Sequence, residues 1–215
     1  GMFSDMSLVR QRPDVVTYSA AISACEKSFD WHEALVILVD MRLRHVEPNV
    51  VTYNAAIASC DQVALWHKAL CLLSDMRLRV VEPDVVTYNT AVSACKTGAQ
   101  WHRALGMFSN MRLDQVMPDE TTYATGISAC EKGARVQEAL ALISDMRLRR
   151  LEPGVIAYNA AISACEKGAR WYEAFGVFSD MRLRCVEPNL ITYNAAISAC
   201  EKGARWHEAL GMVSD

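Results

Sequence analysis

Asparagine side chains recur in this sequence three residues after an apolar residue. Val51 precedes Asn54 in this way, and Val86 precedes Asn89. Residues three apart lie on the same side of an α-helix. An apolar side chain beside an amide could contact the flat face of a nucleobase while the amide forms hydrogen bonds with the edge of that base. The spacing therefore predicts a surface that binds a single-stranded nucleic acid.

This pattern belongs to a repeat with a period of 35 residues. The period relates six tyrosines, namely Tyr18, Tyr53, Tyr88, Tyr123, Tyr158 and Tyr193. We divide the chain into units one to five at residues 15–49, 50–84, 85–119, 120–154 and 155–189, with a partial unit six at residues 190–215. Residues 1–14 match the C-terminal part of a truncated unit. Since both ends fall inside a unit, we expect the chain to be a segment of a longer protein.

Each unit contains two apolar patterns with helical spacing. In unit five, Tyr158, Ile162 and Cys165 mark one buried face, and Ala174 and Phe178 mark another. Glycines are predicted to end the first helix in four units, at Gly98, Gly133, Gly168 and Gly203. A helix–turn–helix repeated at this period predicts an all-α fold, in which stacked pairs form an α-solenoid. The first helix of each pair is expected to line the concave surface.

The last residue of each unit has a simpler interpretation than nucleic-acid binding, because it directly precedes a predicted helix. Asp, Asn and Gly are all favoured N-cap residues. The residues concerned are Asp14, Asn49, Asp84, Asp119, Gly154 and Asn189. Capping alone does not explain asparagine at the fifth position of an alanine-rich helix, since asparagine is a mediocre helix former. Capping and base contact are compatible with each other, so both hypotheses stay open.

Several other recurring residues are interpreted as structural. Six of the eight cysteines occupy one position of the repeat, and we expect them to be buried thiols without disulfides or zinc. The tryptophans begin the second helix, where packing is the expected role, and the following histidines are expected to be partly exposed helix starts. These residues are Trp31, Trp66, Trp101, Trp171 and Trp206, with His32, His67, His102 and His207.

Acidic and basic residues also recur at the end of the second helix. The pairs Asp40–Arg44, Asp75–Arg79, Asp145–Arg149 and Asp180–Arg184 have the spacing i, i+4. The arginines lie where the helix dipole favours cations. We therefore interpret these basic runs as solvated helix ends.

The period, the recurring VVTYNAAISACEKGA-like segment and a terminal proline followed by Asp or Asn closely resemble the pentatricopeptide repeat (PPR) family of the plain 35-residue type. The resemblance covers the whole chain. It implies a right-handed α-solenoid that binds single-stranded RNA, one nucleotide per repeat, in mitochondria or chloroplasts. In that family the fifth and last residues of a unit select the base, the second residue sandwiches it, and a lysine near position 13 contacts phosphate.

Carried onto this chain, the resemblance implies a preference of 5′-A-U-U-N-Y-3′. Its implied base-selecting pairs are Ser19 with Asn49 for adenine, Asn54 with Asp84 and Asn89 with Asp119 for uracil, and Asn159 with Asn189 for a pyrimidine. Unit four has Ala124 and Gly154 and is expected to be unselective, while the partner of Asn194 would lie beyond Asp215. The implied sandwiching residues are Val16, Val51, Val86, Ile156 and Ile191, with Thr121 as the one polar substitution.

The same resemblance implies phosphate contacts by lysines at position 13, namely Lys27, Lys132, Lys167 and Lys202. Units two and three have Gln62 and Thr97 there instead. An acidic residue precedes each lysine, and the chain has a net charge of −3 with a pI near 6.0. Phosphate-binding proteins are usually basic. We therefore expect affinity to depend mainly on base contacts.

Other function classes are less compatible with the sequence. The runner-up is a protein-binding scaffold like the 34-residue tetratricopeptide repeats, so protein partners are a further expectation, although that family prefers glycine where this chain has Ile or Val. We expect no enzymatic activity, cofactor, metal site, small-molecule substrate or membrane span, because no catalytic triad, phosphate loop, metal-ligand spacing or long apolar run is present. The uniform units resemble PPR proteins linked to RNA stabilisation, processing, splicing or translation.

Overall fold

The computed structural model describes residues 13–205 and residue 207. Within them the chain forms eleven α-helices and no strand. The first helices of the units are α1 (Val15–Lys27), α3 (Val50–Asp61), α5 (Val85–Thr97), α7 (Glu120–Lys132), α9 (Val155–Lys167) and α11 (Leu190–Lys202). The second helices are α2 (Trp31–Leu43), α4 (Trp66–Leu78), α6 (Trp101–Leu113), α8 (Val136–Leu148) and α10 (Trp171–Leu183). Most of the truncated unit at residues 1–14 and Trp206 lie outside the described residues.

The helices stack in the order of the sequence. Each first helix packs against the first helices of the neighbouring units and, in units one to five, against its own second helix. Each second helix also packs against the first helix of the following unit, and in the described part of the chain no two second helices come within 8 Å of each other at their Cα atoms. The first helices therefore form a continuous inner layer and the second helices an outer one. This arrangement is the predicted all-α solenoid.

The core lies between the two layers. In unit four, Tyr123, Ile127 and Cys130 of α7 are fully buried together with Ala139 and Met146 of α8. Equivalent tyrosines and cysteines fill the same place in other units. Each Å² of apolar surface that is buried contributes about 25 cal/mol to the free energy of folding. This layer is therefore the main source of stability. The repeat period thus places one layer of core side chains in every unit.

The first helices begin with side-chain caps. The backbone N–H of Thr52 donates to the Asn49 carboxamide oxygen over 3.0 Å, and the Thr52 hydroxyl accepts from the Asn49 backbone N–H over 3.3 Å. Such a cap typically contributes about 1 kcal/mol. The same capping box occurs at Asp84, Asp119 and Asn189. Gly154 makes no side-chain cap, so the capping interpretation applies to five of the six first helices that the structure describes.

Both helices of a unit end in a left-handed residue that is not glycine. The first helices are followed by residues such as Ala99 with φ of 54°, and the second helices by residues such as Val80 with φ of 60°. The Gln100 N–H donates to the Cys95 carbonyl over 2.7 Å, which closes the helix end in a Schellman-type turn. The glycines do mark the ends of the first helices, but none of those described has a positive φ.

Three of these glycines, Gly98, Gly133 and Gly203, are needed for packing against tryptophan instead, and Gly168 packs against Val136. A Cβ on Gly133 would lie 2.5 Å from Trp101 Cδ1 of the preceding unit, and one on Gly203 would meet Trp171 as closely. The Arg205 guanidinium covers the Trp171 ring at 4.4 Å from its centroid. These tryptophans are therefore inter-unit packing residues, as predicted.

A row of polar contacts connects the second helices at the outer layer. The Tyr53 hydroxyl donates to Asp75 over 2.7 Å, and Arg42 of the preceding unit pairs with the same carboxylate. Burial and the Asp75 carboxylate raise the pKa of Tyr53 to about 12. Burial opposes ionisation of Asp75, but the hydrogen bond from Tyr53 and the charge of Arg42 hold its pKa below the usual range. We call this repeated arrangement the outer row.

The outer row persists where the sequence departs from its pattern. In unit three Asn110 stands at the place of the carboxylate, and Asp114 replaces the arginine found four residues later in other units. Tyr88 and Arg77 both bond to Asp114. The predicted i, i+4 pairs also form, for example between Arg44 and Asp40 over 3.0 Å. The charged ends of the second helices are therefore not only solvated. Arg42, two residues before Arg44, forms a salt bridge with Asp75 of the next unit.

The remaining structural predictions concern cysteine and histidine. All eight cysteines are free thiols, and those of the repeat position are buried except the half-buried Cys25. Burial raises the pKa of Cys95 to about 11. The four histidines that follow tryptophan are exposed. Among the described residues there is no group of three or more side chains suited to a metal ion, and none of the described helices combines the length and apolarity that a membrane span requires.

Candidate nucleic-acid interface

The apolar side chains at position 2 of the units point into solvent. Val16, Val51, Val86, Ile156 and Ile191 are 70%, 60%, 52%, 71% and 61% exposed, and Thr121 is exposed as well. A β-branched apolar residue gains nothing from such exposure. The first helices of all units except unit four therefore present one uncovered apolar contact along the inner layer.

The amide at position 5 is held next to the last residue of the same unit. Asn54 donates from Nδ2 to Asp84 Oδ1 over 3.3 Å, and the Thr87 hydroxyl donates to Asn54 Oδ1 over 2.6 Å. Asp84 also accepts from the Thr87 backbone N–H over 2.8 Å. One carboxylate therefore caps the next helix and fixes the orientation of the amide. Base contact and capping are compatible in this geometry.

Two further units contain the same arrangement, and we call the three copies the inner row. Asn89 donates to Asp119 over 3.1 Å, and Asn159 donates to Asn189 over 3.2 Å. Thr122 and Thr192 complete the two networks by donating to the asparagine Oδ1 atoms. The predicted pairs of units two, three and five are thus brought together.

The threonine at position 3 is a member of the site that sequence reasoning missed. Thr52, Thr87, Thr122 and Thr192 are fully buried although they are polar. Each bridges the fifth and last residues of the preceding unit, and the fifth residue lies 33 positions earlier in the sequence. The available signal was the recurring threonine three residues after the capping residue, which is the spacing of a capping box.

Hydrogen bonding keeps the inner-row carboxylates ionised. Burial would raise the pKa of Asp84, but the backbone and hydroxyl groups of Thr87 and the amide of Asn54 outweigh it and lower that pKa. Burial of Asp119 is likewise outweighed by Thr122 and Asn89, so its pKa is lowered too. Both residues therefore present carboxylate acceptors at neutral pH.

In unit one the two residues of the predicted pair, Ser19 and Asn49, are connected through a third residue. Ser19 is buried, with 8% of its surface exposed, and its hydroxyl lies 2.8 Å from the Thr52 hydroxyl. Thr52 in turn donates to Asn49 over 2.9 Å. Serine is too short to reach Asn49 directly, so the threonine connects the two. Asn194 of the partial unit six is exposed at the other end of the layer.

Unit four lacks this network entirely. Ala124 has no polar group, Gly154 has no side chain, and Ala157 replaces the bridging threonine. In their place, the Glu120 carboxylate lies over Gly154, with Oε1 2.7 Å from the position that a Cβ would occupy. Positions 5 and 35 of unit four thus offer no side-chain hydrogen bond, whereas a carboxylate lies next to them.

The predicted phosphate lysines form a ladder with acidic residues of the preceding units. Lys167 pairs with Glu131 over 2.8 Å, and Lys202 pairs with Glu166 over 2.9 Å. Burial opposes ionisation of Glu166, but the hydrogen bond and charge of Lys202 help to hold its pKa below the usual range. Thr97, at the same position in unit three, donates to Asp61.

The other two predicted phosphate lysines have no acidic partner among the described residues. Lys27 and Lys132 are exposed and make no salt bridge with any residue in the described range. Two of the four lysines are therefore neutralised by carboxylates, which weakens the inner layer as a phosphate surface.

Solved structures provide the first comparison with known proteins. The crystal structure of the pentatricopeptide repeat protein PPR10 from maize is 25% identical, with a TM-score of 0.74 over 99% of this chain and 30% of that chain. PPR10 in complex with an 18-nt psaJ RNA element is 25% identical, with a TM-score of 0.75 over 93% of this chain and 29% of that chain. The present chain thus spans about 30% of the length of PPR10.

A third structure supports the fold alone. The PPR domain of Arabidopsis thaliana protein-only RNase P 1, in complex with tRNA, is 18% identical, with a TM-score of 0.65 over 74% of this chain and 83% of that chain. No curated protein sequence matches this chain at a significant level.

Family models provide the second comparison. A model of the PPR repeat family matches residues 13–62, 48–97, 83–132 and 153–202, and a model of the PPR repeat matches residues 191–215. The matches omit residues 133–152, which include the second helix of unit four. Since they cover most of its length, the chain belongs to the PPR repeat family.

Proposed function

We propose that this chain binds single-stranded RNA and reads one nucleotide per unit, with the preference 5′-A-U-U-N-Y-3′ from unit one to unit five. The observation that carries the proposal is the inner row. In it the amide at position 5 is held against a carboxylate in units two and three and against a second amide in unit five, beside an exposed apolar side chain. The similar protein PPR10 has been solved in complex with an 18-nt RNA element, which supports RNA binding.

The chemistry of the inner row fits uracil in units two and three. The second N–H of the Asn54 amide is available to donate to a uracil carbonyl, and the Asp84 carboxylate is available to accept from the adjacent N3–H. In unit five Asn189 replaces the carboxylate with an amide, which can also donate. This change suits the N3 acceptor of cytosine as well, so a pyrimidine is expected there.

Base contacts must provide most of the affinity because the chain carries a net charge of −3. Apolar contact between a base and an aliphatic side chain contributes about 25 cal/mol per Å² of buried apolar surface, and a neutral hydrogen bond contributes about 0.5–1.5 kcal/mol. Binding should therefore depend on sequence more than on charge.

We extend the proposal to RNA processing, stabilisation or translation in mitochondria or chloroplasts, as the resemblance implies. Imaging of the full-length protein with a fluorescent fusion tests that location.

Fluorescence anisotropy with labelled RNA tests the binding. The RNA containing AUUNY is compared with a scrambled RNA and with the equivalent DNA. We expect the matched RNA to bind most tightly, and we expect Asn54→Ala with Asn89→Ala to weaken it about tenfold through the loss of two hydrogen-bonding amides. Asn110→Ala is the matched control, since Asn110 lies on a second helix away from the inner row. Equal binding of matched and scrambled RNA would reject base reading, and no binding by the folded chain would favour a protein partner.

A further inference from the structure

A cavity of about 460 Å³ opens on the inner layer at unit four. Its walls include the residues at positions 2, 5 and 35 of unit four, which are Thr121, Ala124 and Gly154. Two charged side chains, Lys96 and Glu120, also line the cavity. The cavity therefore occupies the place where the proposed function puts the fourth base. Its size is within the usual range for small-ligand pockets.

Glu120 provides a carboxylate where the pattern of the repeat has none. Position 1 is Val or Leu in each of the other units, and Glu120 is the one exception. Its Oε1 atom lies 2.7 Å from the position of a Cβ on Gly154. The carboxylate thus fills the space that Asp84 or Asp119 occupies in the preceding units. Glu120 is exposed and has no hydrogen bond or salt bridge to a residue in the described part of the chain.

Lys96 is the second exception at this cavity. Position 12 is acidic in the other units and can pair with position 13 of the next unit, as Glu131 does with Lys167. In the same register Lys96 would meet Lys132, and like charges do not pair. Neither lysine makes a salt bridge within the described range. The Lys96 ammonium therefore remains available as a donor at the wall of the cavity.

We propose that unit four selects guanine, with Glu120 accepting from N1–H and N2–H₂ and Lys96 donating to O6 or N7. This inference rests on the proposed function, and it replaces the expectation that unit four is unselective. Guanine has two adjacent donors on its Watson–Crick edge, which match an ionised carboxylate. Adenine, cytosine and uracil each place an acceptor beside the donor on that edge, and a carboxylate repels it. Lysine is an established partner of guanine O6 and N7.

The test uses four RNAs of the form AUUNY that differ at the fourth base alone. We expect the RNA with guanine to bind about tenfold more tightly than the others, the size of one good bidentate contact. Glu120→Gln should remove this preference. Glu187→Gln is the matched control, because it changes the net charge equally at an exposed residue outside the inner layer. Glu120→Val restores the usual residue type of position 1 and should also lose the guanine preference. Because this variant matches the repeat pattern, the same loss in it shows that misfolding is not the cause.

The outcomes separate this inference from the proposed function. If AUUNY is preferred over RNA scrambled in its first three bases but the four RNAs bind equally, the guanine inference is wrong and base reading stands. If the guanine preference survives in both Glu120 variants, Glu120 is not its source and the inference is also wrong. If scrambled RNA binds as well as AUUNY, the proposed function itself fails.

Discussion

Two rows of polar side chains cross the unit boundaries of this solenoid, one on each side of the core. In the outer row, Asp75 accepts from Tyr53 and pairs with Arg42, so all three side chains have a partner inside the protein, although the buried Nε of Arg42 makes no hydrogen bond to a described residue. In the inner row, Asn54 and Asp84 bond to each other and to Thr87, yet an amide N–H and carboxylate lone pairs remain available. The outer row is a closed structural contact, whereas the inner row retains the capacity to bind a ligand.

Each row also contains one unit that departs from the repeat. In unit three the outer-row carboxylate moves from position 26 to Asp114, and Tyr88 and Arg77 follow it. In unit four the inner row loses its pair, and Glu120 brings a carboxylate to the same place. A neighbouring acidic residue thus replaces the missing group in both rows. The position of a charge in space matters here more than its position in the repeat.

The largest expected effect is on stability, from a break in the outer row. Asp75→Ala leaves Tyr53 and Arg42 without their shared acceptor, and we expect a loss of about 2 kcal/mol in the free energy of unfolding. Asp114→Ala should cost a similar amount, whereas Asn110→Ala should cost little although it stands at the usual position of the carboxylate. Urea unfolding followed by circular dichroism measures all three. A large effect of Asn110→Ala and none of Asp114→Ala would contradict the compensation in unit three.

A smaller effect separates capping from base contact in the inner row. Asp119→Ala removes both the cap of α7 and the partner of Asn89, so we expect a loss of about 1 kcal/mol in stability together with the loss of uracil preference at the third base. Asp119→Asn retains a capping side chain and should preserve stability while its preference broadens to both pyrimidines. Urea unfolding and RNA anisotropy on the same samples check this. If Asp119→Asn kept a strict uracil preference, Asp119 would be a cap alone.

The fold was predictable because it depends on short-range patterns. The spacing of Tyr158, Ile162 and Cys165 shows the buried face of a helix, and the constant period shows that the helices stack. The inner-row pairs came from the family resemblance, and the structure places three of them within hydrogen-bonding distance. Their roles in base selection stay predictions.

The missed features depend on contacts between units. Thr87 meets Asn54 at a separation of 33 residues, and Arg42 meets Asp75 at the same separation. No periodic pattern within one helix reveals such contacts. Glu120 was missed for a related reason, since its carboxylate reaches the space above Gly154 only because Gly154 has no side chain. Comparing the units position by position cannot identify a residue such as Glu120, which reaches the site from position 1 and not from position 5 or 35.

The central claim is that the pair at positions 5 and 35 of one unit selects one base. Asn54→Ser with Asp84→Asn tests it most directly, because it gives unit two the same pair as unit one and keeps a capping residue before α5. Anisotropy should show that the double variant prefers AAUNY over AUUNY, while the unchanged chain prefers AUUNY. An unchanged preference for uracil at the second base in the folded variant would contradict the claim.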